Sequence, residues 1–324
     1  MPNSYEYSFG SVRAKEKNLF SRSDIETMLS FETVGELVGF LRDKGYGDGD
    51  TVDEIIRSNR VETMAYLRSI VPDISVFDVF LYPADTHNIK CVIKGLLSNS
   101  DYKKLFVSPC TVDTAVIETA VKENEYSLLP DSFSDAAQKA YETLAHTTDA
   151  RKADAFLDCA CMKLQLEKAK AVKNAFLEEY ITTEIFYRNV KTALRACLTS
   201  SPEEYYANAL LDCVPGFDKA AVTAEALKGM NELTDYLLTV KEYRCKEAIE
   251  KYLSSPAEFE KFTENLLVKS ARDNCKKCGS GPEAALGFYI ARLAEEKAIH
   301  IIAAGIGANA HRVLTRERLR EIYA

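Results

Sequence analysis

The chain has 324 residues, with 41 Lys or Arg against 49 Asp or Glu and hence a formal net charge of −8. This length can bury a core without disulfides or a metal, and the negative charge argues against binding to nucleic-acid backbones or anionic lipid. The nine cysteines are an odd number placed in largely apolar segments, which is typical of reduced thiols in a cytosolic protein.

Helical periodicity runs through most of the chain, and strand-like alternation is nearly absent. Between Pro130 and Pro202 there is no proline or glycine, which favours helix. The β-branched run 181–183 predicts a break, with Thr183 as the N-cap of a new helix. The sequence therefore predicts an all-α fold. The predicted helices cover Val12–Leu41, Phe77–Leu97, Thr111–Glu123, Asp131–Ala145, a long segment through 156–176, Pro256–Cys278, Pro282–Ala304 and Thr315–Tyr323.

The chain carries no sequence pattern for crossing a membrane. Its first residues lack the basic and apolar segments of a signal peptide. The longest weakly charged run, 298–310, is far shorter than the roughly 20 residues that span a bilayer. We therefore expect no direct transmembrane segment, and membrane association only through a partner.

A short pattern recurs along the chain. Asn88-Ile-Lys90 is followed by Lys94 and Gly, and Asn189-Val-Lys191, 101 residues later, is followed by Arg195 and Ala. A degraded third copy starts at Ala298, 109 residues after the second, with His300 in place of the first lysine and Ala304 in place of the second basic residue. A period near 100 residues is too long for the common helical solenoids. We therefore predict three related helical units, residues 1–105, 106–203 and 204–324, in a pseudo-threefold arrangement.

The repeated pattern brings like charges together. On a helix, Lys90 and Lys94 lie four residues apart on one face, as do Lys191 and Arg195, and such pairs cost a few tenths of a kcal/mol unless an anion is near. Solvent or acids of the chain, such as Asp85 and Glu184, could satisfy these cations. The alternative is a basic surface that faces a shared axis and binds an acidic partner.

Five motifs in chain order resemble one known family, the C subunits of the A-type and bacterial V-type rotary ATPases, whose counterpart in the eukaryotic vacuolar enzyme is the d subunit. The resemblance covers the whole length, although Ala298 and His300 depart from the Asn and Arg that the family more often has. The motifs are Val12–Arg22, Asp85–Lys90, Asn189–Lys191 with Leu194–Ala196, Gly287–Lys297 and Arg318–Tyr323.

This resemblance implies a funnel-shaped, three-lobed helical protein without a catalytic site or cofactor. Such a protein lies at the cytoplasmic face of the membrane and joins the proteolipid ring to the axle subunits of the central stalk, in H⁺ or Na⁺ transport linked to ATP synthesis or hydrolysis. We expect the partners to be those axle subunits and the ring, with no nucleic acid. The residues expected to form the stalk-binding socket, here called the predicted socket residues, are Lys90, Lys94, Lys191 and Arg195, with Asn88 and Asn189 fixing local helix contacts and Arg13, Lys15 and Glu16 as weaker candidates.

Several short motifs resemble parts of metal-binding or nucleotide-binding sites, but the other residues that such sites require are missing. Cys275-x-x-Cys278 has no second ligand pair at a spacing that would complete a four-ligand zinc site. Gly305-x-Gly307 fits part of a dinucleotide-binding fingerprint, but too little sequence follows for the helix, strand and acid of such a site; a helix ending at Gly305 is the simpler interpretation. Asp48, Asp50 and Asp53 lack the glycine of a calcium loop, and no phosphate-binding loop occurs.

Two alternatives to the rotary-ATPase hypothesis stay open on the residues alone. One is a cytosolic helical adaptor unrelated to ion transport, which would not associate with a membrane ATPase. The other is an enzyme that uses Cys275 and Cys278, whose activity would be lost on replacing both with serine.

Overall fold

The computed structural model describes residues 4–212, 214–276 and 279–323. Within these ranges the secondary structure is helical with no strand, which confirms the predicted all-α fold. Short 3₁₀ turns connect several helices. The α-helices, numbered α1 to α16 in chain order, are Tyr5–Lys15, Arg22–Ser30, Val34–Asp43, Val52–Ile70, Asp78–Ser98, Thr114–Lys122, Asp131–Thr147, Ala150–Val172, Ala175–Leu198, Glu203–Ala209, Lys219–Lys228, Met230–Thr239, Cys245–Ser254, Pro256–Cys275, Glu283–Gly307 and Arg312–Arg318.

The chain folds into two compact units. The first consists of Met1–Ser75 and Lys251–Ala324, and the second of Val76–Glu250. In the first unit, Met28, Leu37 and Leu41 from the early segment form one apolar cluster with Ile299 and Ile302 from the late segment. Full burial of each such side chain contributes roughly 1.5–3 kcal/mol, so the two separated segments depend on each other for a core.

The second unit has an apolar core of its own. Ile89 and Val92 of α5 pack with Ile117 of α6, Phe133 of α7 and Leu157 of α8. All five side chains are almost fully buried. The prediction of three units with boundaries near 105 and 203, in a funnel-shaped pseudo-threefold arrangement, stays a prediction.

Side-chain caps divide the predicted helix Val12–Leu41 into shorter pieces. Ser21 and Asp24 form a reciprocal capping box at the start of α2, and Thr33 and Glu36 form another at the start of α3. The first N–H groups of a helix have no carbonyl partner within it, and each capping box supplies acceptors for such groups. A capping box therefore marks the start of a new helix. The apolar periodicity predicted helix correctly here, but the cap signals show where it is interrupted.

The predicted break at Thr183 is wrong. Helix α9 runs without interruption from Ala175 to Leu198, and the Thr183 hydroxyl donates a hydrogen bond of 2.8 Å to the carbonyl of Glu179. The chain instead breaks at Lys173, whose backbone is left-handed, followed by Asn174 as the N-cap of α9. A threonine inside a helix can bond to the preceding turn, which local pattern alone does not distinguish from a cap.

The C-terminal helix is also shorter than predicted. Helix α16 ends at Arg318, and Leu319 adopts an extended backbone. Tyr323 is only 2% exposed, and the backbone N–H of Glu321 donates to the side chain of Asn265 on α14. Residues 319–323 therefore continue beyond the helix without regular secondary structure, and Glu321 contacts α14.

The three helices that carry the repeated pattern, α5, α9 and α15, end in the same way. We call them the signature helices. Eleven residues after the first position of the pattern, Asn99, Ser200 and Asn309 all have a left-handed backbone, with φ of 50°, 47° and 49°.

The hydrogen bonds that close the signature helices also match. The backbone N–H groups of Ser100, Ser201 and Ala310 donate to the carbonyls of Gly95, Ala196 and Gly305 at 3.0, 3.0 and 2.9 Å. This is the helix-ending motif in which a left-handed residue satisfies the last free carbonyls. The degraded third copy has thus lost its polar side chains but kept the backbone geometry.

The expected helix end at Gly305 is therefore two residues too early, since α15 continues to Gly307. Gly305 has a different role. A Cβ atom there would lie 2.5 Å from the hydroxyl oxygen of Thr315 on α16, so the missing side chain allows α16 to pack closely.

Candidate partner-binding site

The two signature asparagines make the same pair of hydrogen bonds. Asn88 donates 3.0 Å to the carbonyl of Val107 and accepts 2.9 Å from its N–H. Asn189 does the same with Leu211, at 2.7 and 3.0 Å. Both asparagines are fully buried. Each asparagine therefore joins a signature helix to the loop that follows it.

Asp85 fixes the same loop in the first copy. Its carboxylate accepts hydrogen bonds from the N–H groups of Thr111 and Val112, at 2.9 and 3.0 Å, and from the Thr111 hydroxyl at 2.6 Å. Burial raises the pKa of Asp85, and these hydrogen bonds oppose the rise. Asp85 is therefore occupied with backbone donors and is not the counter-ion of the basic pair, as one alternative had suggested.

The basic pair of the first copy finds its counter-ions on α8. Lys90 Nζ lies 2.8 Å from Asp158 Oδ1, and Lys94 Nζ lies 2.8 Å from Asp154. Further along the same two helices, Lys168 of α8 pairs with Asp78 of α5 at 3.0 Å. Residue numbers rise on one helix as they fall on the other, so these ion pairs form a ladder between antiparallel helices.

In the second copy, one of the two basic side chains is more exposed than its counterpart in the first copy. Lys191 is partly buried and Arg195 is exposed on α9. The neighbouring Arg188, to which the repeated pattern assigns no role, donates a hydrogen bond of 2.7 Å to the side chain of Gln165 on α8. Gln165 in turn donates 2.8 Å to the carbonyl of Val79 on α5, so Arg188 helps to hold three helices of the second unit.

The third copy replaces the asparagine contact with a buried ion pair. Ala298 has no polar side chain, but three residues earlier Glu295 accepts a hydrogen bond from the backbone N–H of Phe20 and pairs with Arg292 at 2.7 Å. Glu295 is 2% exposed, and burial raises its pKa while Arg292 opposes the rise. The guanidinium also lies over the rings of Tyr46 and Phe288.

This buried pair was missed from the sequence. Glu295 stands where the first copy has Asp85, three residues before the start of the pattern. Both acids accept from the backbone of a loop. An acid at this position in two of three copies is a signal that comparison of the copies could have found.

The weaker N-terminal candidates make contacts within the first unit. Arg13 pairs with Glu16 at 2.5 Å and donates 2.7 Å to the carbonyl of Cys275 at the end of α14. The Lys15 ammonium lies 5.5 Å from the centre of the Tyr66 ring on α4. These contacts hold α1 against its neighbours.

The motifs that suggested other chemistry do not assemble a site among the described residues. Cys275 is a buried cysteine at the end of α14, and Cys278 lies outside the described residues. Nowhere in the described ranges do three or more His, Cys, Asp or Glu side chains form a group that could hold a metal ion. The described helices include none that is long and apolar enough to span a bilayer.

Fold and site together define a helical protein organised around a recurring long helix. A protein-family model described as ATP synthase (C/AC39) subunit matches residues 9–318, whereas no curated protein matches the chain. The chain belongs to the ATP synthase (C/AC39) subunit family, whose members are subunits of A/V-type ATP synthases. The resemblance inferred from the five motifs is thereby confirmed.

Proposed function

We propose that this chain is the non-catalytic central-stalk protein that couples the membrane proteolipid ring to the axle subunits of an A/V-type ATPase. The observation that carries the proposal is the family match across residues 9–318. In this role the chain sits at the cytoplasmic face of the membrane and transmits rotation linked to H⁺ or Na⁺ transport.

The predicted socket residues differ in burial and in their contacts, so they would serve such a protein in different ways. Asn88 and Asn189 are fully buried, so they would act by positioning the signature helices. Lys90 and Lys94 are paired with aspartates of α8, and Arg13, Lys15 and Glu16 have contacts inside the first unit. Arg195 is the exposed cation of the repeated pattern in the second copy, and we propose it as the residue through which the basic surface meets a protein of the stalk.

The first experiment asks which complex contains the chain. The full-length chain carrying an affinity tag is purified from gently solubilised membranes of its own organism, and the proteins that accompany it are identified by mass spectrometry. We expect axle and proteolipid subunits and an ATPase activity that co-elutes with the tag. Recovery as a free protein, or with partners unrelated to an ATPase, would instead support the helical adaptor alternative.

The second experiment tests the exposed cation. We expect Arg195→Glu to lower recovery of the stalk subunits, because a reversed charge repels an acidic partner surface. Its melting temperature and helical content should stay those of the wild type. Lys139→Glu, at an exposed position of α7 outside the repeated pattern, is the matched control and should leave recovery unchanged. Equal recovery with both variants would remove Arg195 from the interface.

A further inference from the structure

Cys91 and His87 bring a thiol and an imidazole together on α5. The two residues are four positions apart in the helix, so their side chains lie on the same face. Cys91 Sγ is 3.3 Å from His87 Nε2. His87 is exposed and Cys91 is partly buried, so an ion in solvent can reach both. The second copy of the repeated pattern has Arg188 and Thr192 at these positions, so the pair belongs to the first copy.

A third donor atom lies beside this pair. The carbonyl oxygen of Leu105, in the loop that follows α5, is 2.9 Å from the same Nε2 atom of His87. Asn88 binds both backbone groups of Val107 in this loop, which keeps the nearby Leu105 carbonyl close to α5. A sulfur and an oxygen are therefore both held next to one ring nitrogen.

The separation of the sulfur and the nitrogen suits a shared metal ion. Zinc binds thiolate sulfur at about 2.3 Å and imidazole nitrogen at about 2.0–2.1 Å, so two such ligands of a tetrahedral ion are about 3.5 Å apart. The observed 3.3 Å between Cys91 Sγ and His87 Nε2 is close to this spacing. Thiolate and imidazole are also ligands that zinc prefers, whereas Mg²⁺ and Ca²⁺ prefer oxygen.

We propose that Cys91 and His87 form a binding site for a zinc-like divalent cation, with the Leu105 carbonyl as a nearby third donor. Binding breaks the S–H bond of Cys91, forms a metal–sulfur bond and releases the proton to solvent. The lone pair of His87 Nε2 forms the second bond, with the ring hydrogen on Nδ1, and water fills the remaining positions of the ion.

Two side-chain ligands define the kind of site. The part of the chain that the structure describes has no group of three or more His, Cys, Asp or Glu that could hold a metal ion. A structural zinc site has four protein ligands, so the pair on α5 fits an ion that exchanges with solvent. This inference goes beyond the proposed function and does not depend on it.

Cobalt titration of the purified, reduced full-length chain tests the site. All variants are made in a chain that carries Cys278→Ser, which disrupts the Cys-x-x-Cys pair. Cobalt bound to a thiolate gives a charge-transfer absorption band, and we expect Cys91→Ser to remove it. Added Zn²⁺ should also abolish the band, because Zn²⁺ binds such ligands more tightly than Co²⁺. We expect His87→Gln to weaken Co²⁺ binding at least about tenfold, since even changes beside metal ligands cost about 10–100-fold.

The matched controls replace a cysteine and a histidine on other helices. Cys159→Ser, at a partly buried position of α8, and His146→Gln, at an exposed position of α7, should leave the band and the affinity unchanged. Circular dichroism and thermal unfolding check the fold of each variant. His87→Gln, an exposed change, keeps the test decisive if Cys91→Ser does not fold.

Three results would overturn the site. They are a parent chain without the band, a band that persists in Cys91→Ser, and an affinity that falls as much with His146→Gln as with His87→Gln. Because the chain is measured alone, none of these results bears on which complex contains it, so failure here leaves the proposed function standing.

Discussion

Two asparagines, Asn88 and Asn189, each satisfy both polar groups of one loop residue while themselves fully buried. Replacing Asn189 with alanine removes a donor and an acceptor at once and leaves the N–H and carbonyl of Leu211 without them. We expect the free energy of unfolding to fall by about 1–3 kcal/mol, as measured by urea denaturation.

The control for that substitution is Asn231→Ala. Asn231 is exposed in the first turn of α12, so its replacement should change stability by less than about 0.5 kcal/mol. If Asn189→Ala costs no more than this control, the paired hydrogen bonds with Leu211 do not hold the loop.

The contribution of Glu118, on α6, to the stability of the chain should depend on pH. A hydrogen bond from Lys122, with further contacts from Lys103 and Tyr102, lowers its pKa to about 2. A carboxyl with a lowered folded-state pKa adds stability above its unfolded pKa and loses it as the pH falls toward the folded value. The stability difference between wild type and Glu118→Gln should therefore be full above pH 5 and shrink between about pH 4.5 and 2.

Unfolding measured across that pH range checks the Glu118 prediction. A difference between the two proteins that stays constant from pH 5 to pH 2 would show that the carboxylate of Glu118 is not stabilised by its lysines in the folded state.

The role of a single residue can be predicted from sequence only when the residue that it contacts lies nearby in the chain. The sequence predicts that Lys90 and Lys94 have an anion near them, because like charges four residues apart on one helix face repel each other. Their actual partners, Asp158 and Asp154, lie 68 and 60 residues away. Only the packing of α5 on α8 brings them together, so local spacing could not identify them.

At the scale of helices, the ladder between α5 and α8 fixes one antiparallel register. Lys94 and Asp154 are 44% and 32% exposed, so the pair is partly screened by solvent. We expect Lys94→Asp and Asp154→Lys each to destabilise the chain. The double variant should recover much of the loss, with a coupling energy of about 0.5–1 kcal/mol.

The salt dependence of this coupling provides its check. Denaturation of the four proteins of the cycle at low and high ionic strength should give a smaller coupling at 1 M salt, because the Debye length falls to about 3 Å. Coupling near zero at low salt would mean that shape alone aligns α5 with α8.

Close packing at the end of α5 gives a second helix-level prediction. A Cβ on Gly95 would lie 2.2 Å from the ring of Tyr102, whereas a Cβ on Gly10 of α1 would meet nothing within 4 Å. Gly95→Ala should therefore destabilise by about 1–3 kcal/mol, and Gly10→Ala should stabilise by roughly 0.5–1 kcal/mol. Thermal unfolding of the two variants, with shifts of opposite sign, is the measurement. A stabilised Gly95→Ala would contradict the packing.

The helices themselves were largely predictable, whereas their ends were not. Helix α5 runs from Asp78 to Ser98, close to the predicted Phe77–Leu97, because its apolar periodicity is long and its ends carry loop residues. The end of α8 was missed because a left-handed Lys173 closes it, a residue with no intrinsic preference for that backbone.

For the whole molecule, the two-segment core of the first unit leads to a fragment prediction. Residues 4–75 contain Met28, Leu37 and Leu41 but lack the late residues Ile299 and Ile302 that cover them. Expressed alone, this fragment should give the poorly dispersed amide spectrum of a partly folded chain. Adding residues 251–323 in trans should restore helical circular dichroism and amide dispersion, and a folded early fragment on its own would contradict the shared core.

That divided core also sets an order of events during synthesis. At about 5–20 residues per second, a ribosome needs roughly 10–45 s to progress from residue 75 to the α15 residues that complete the cluster. In that interval the apolar faces of α2, α3 and α4 have been synthesised but lack the α15 residues that cover them. Residues 76–250 emerge during the same interval and can fold first. Protection of the early helices by chaperones would therefore be needed for a defined time, and slow translation through the middle of the message would lengthen it.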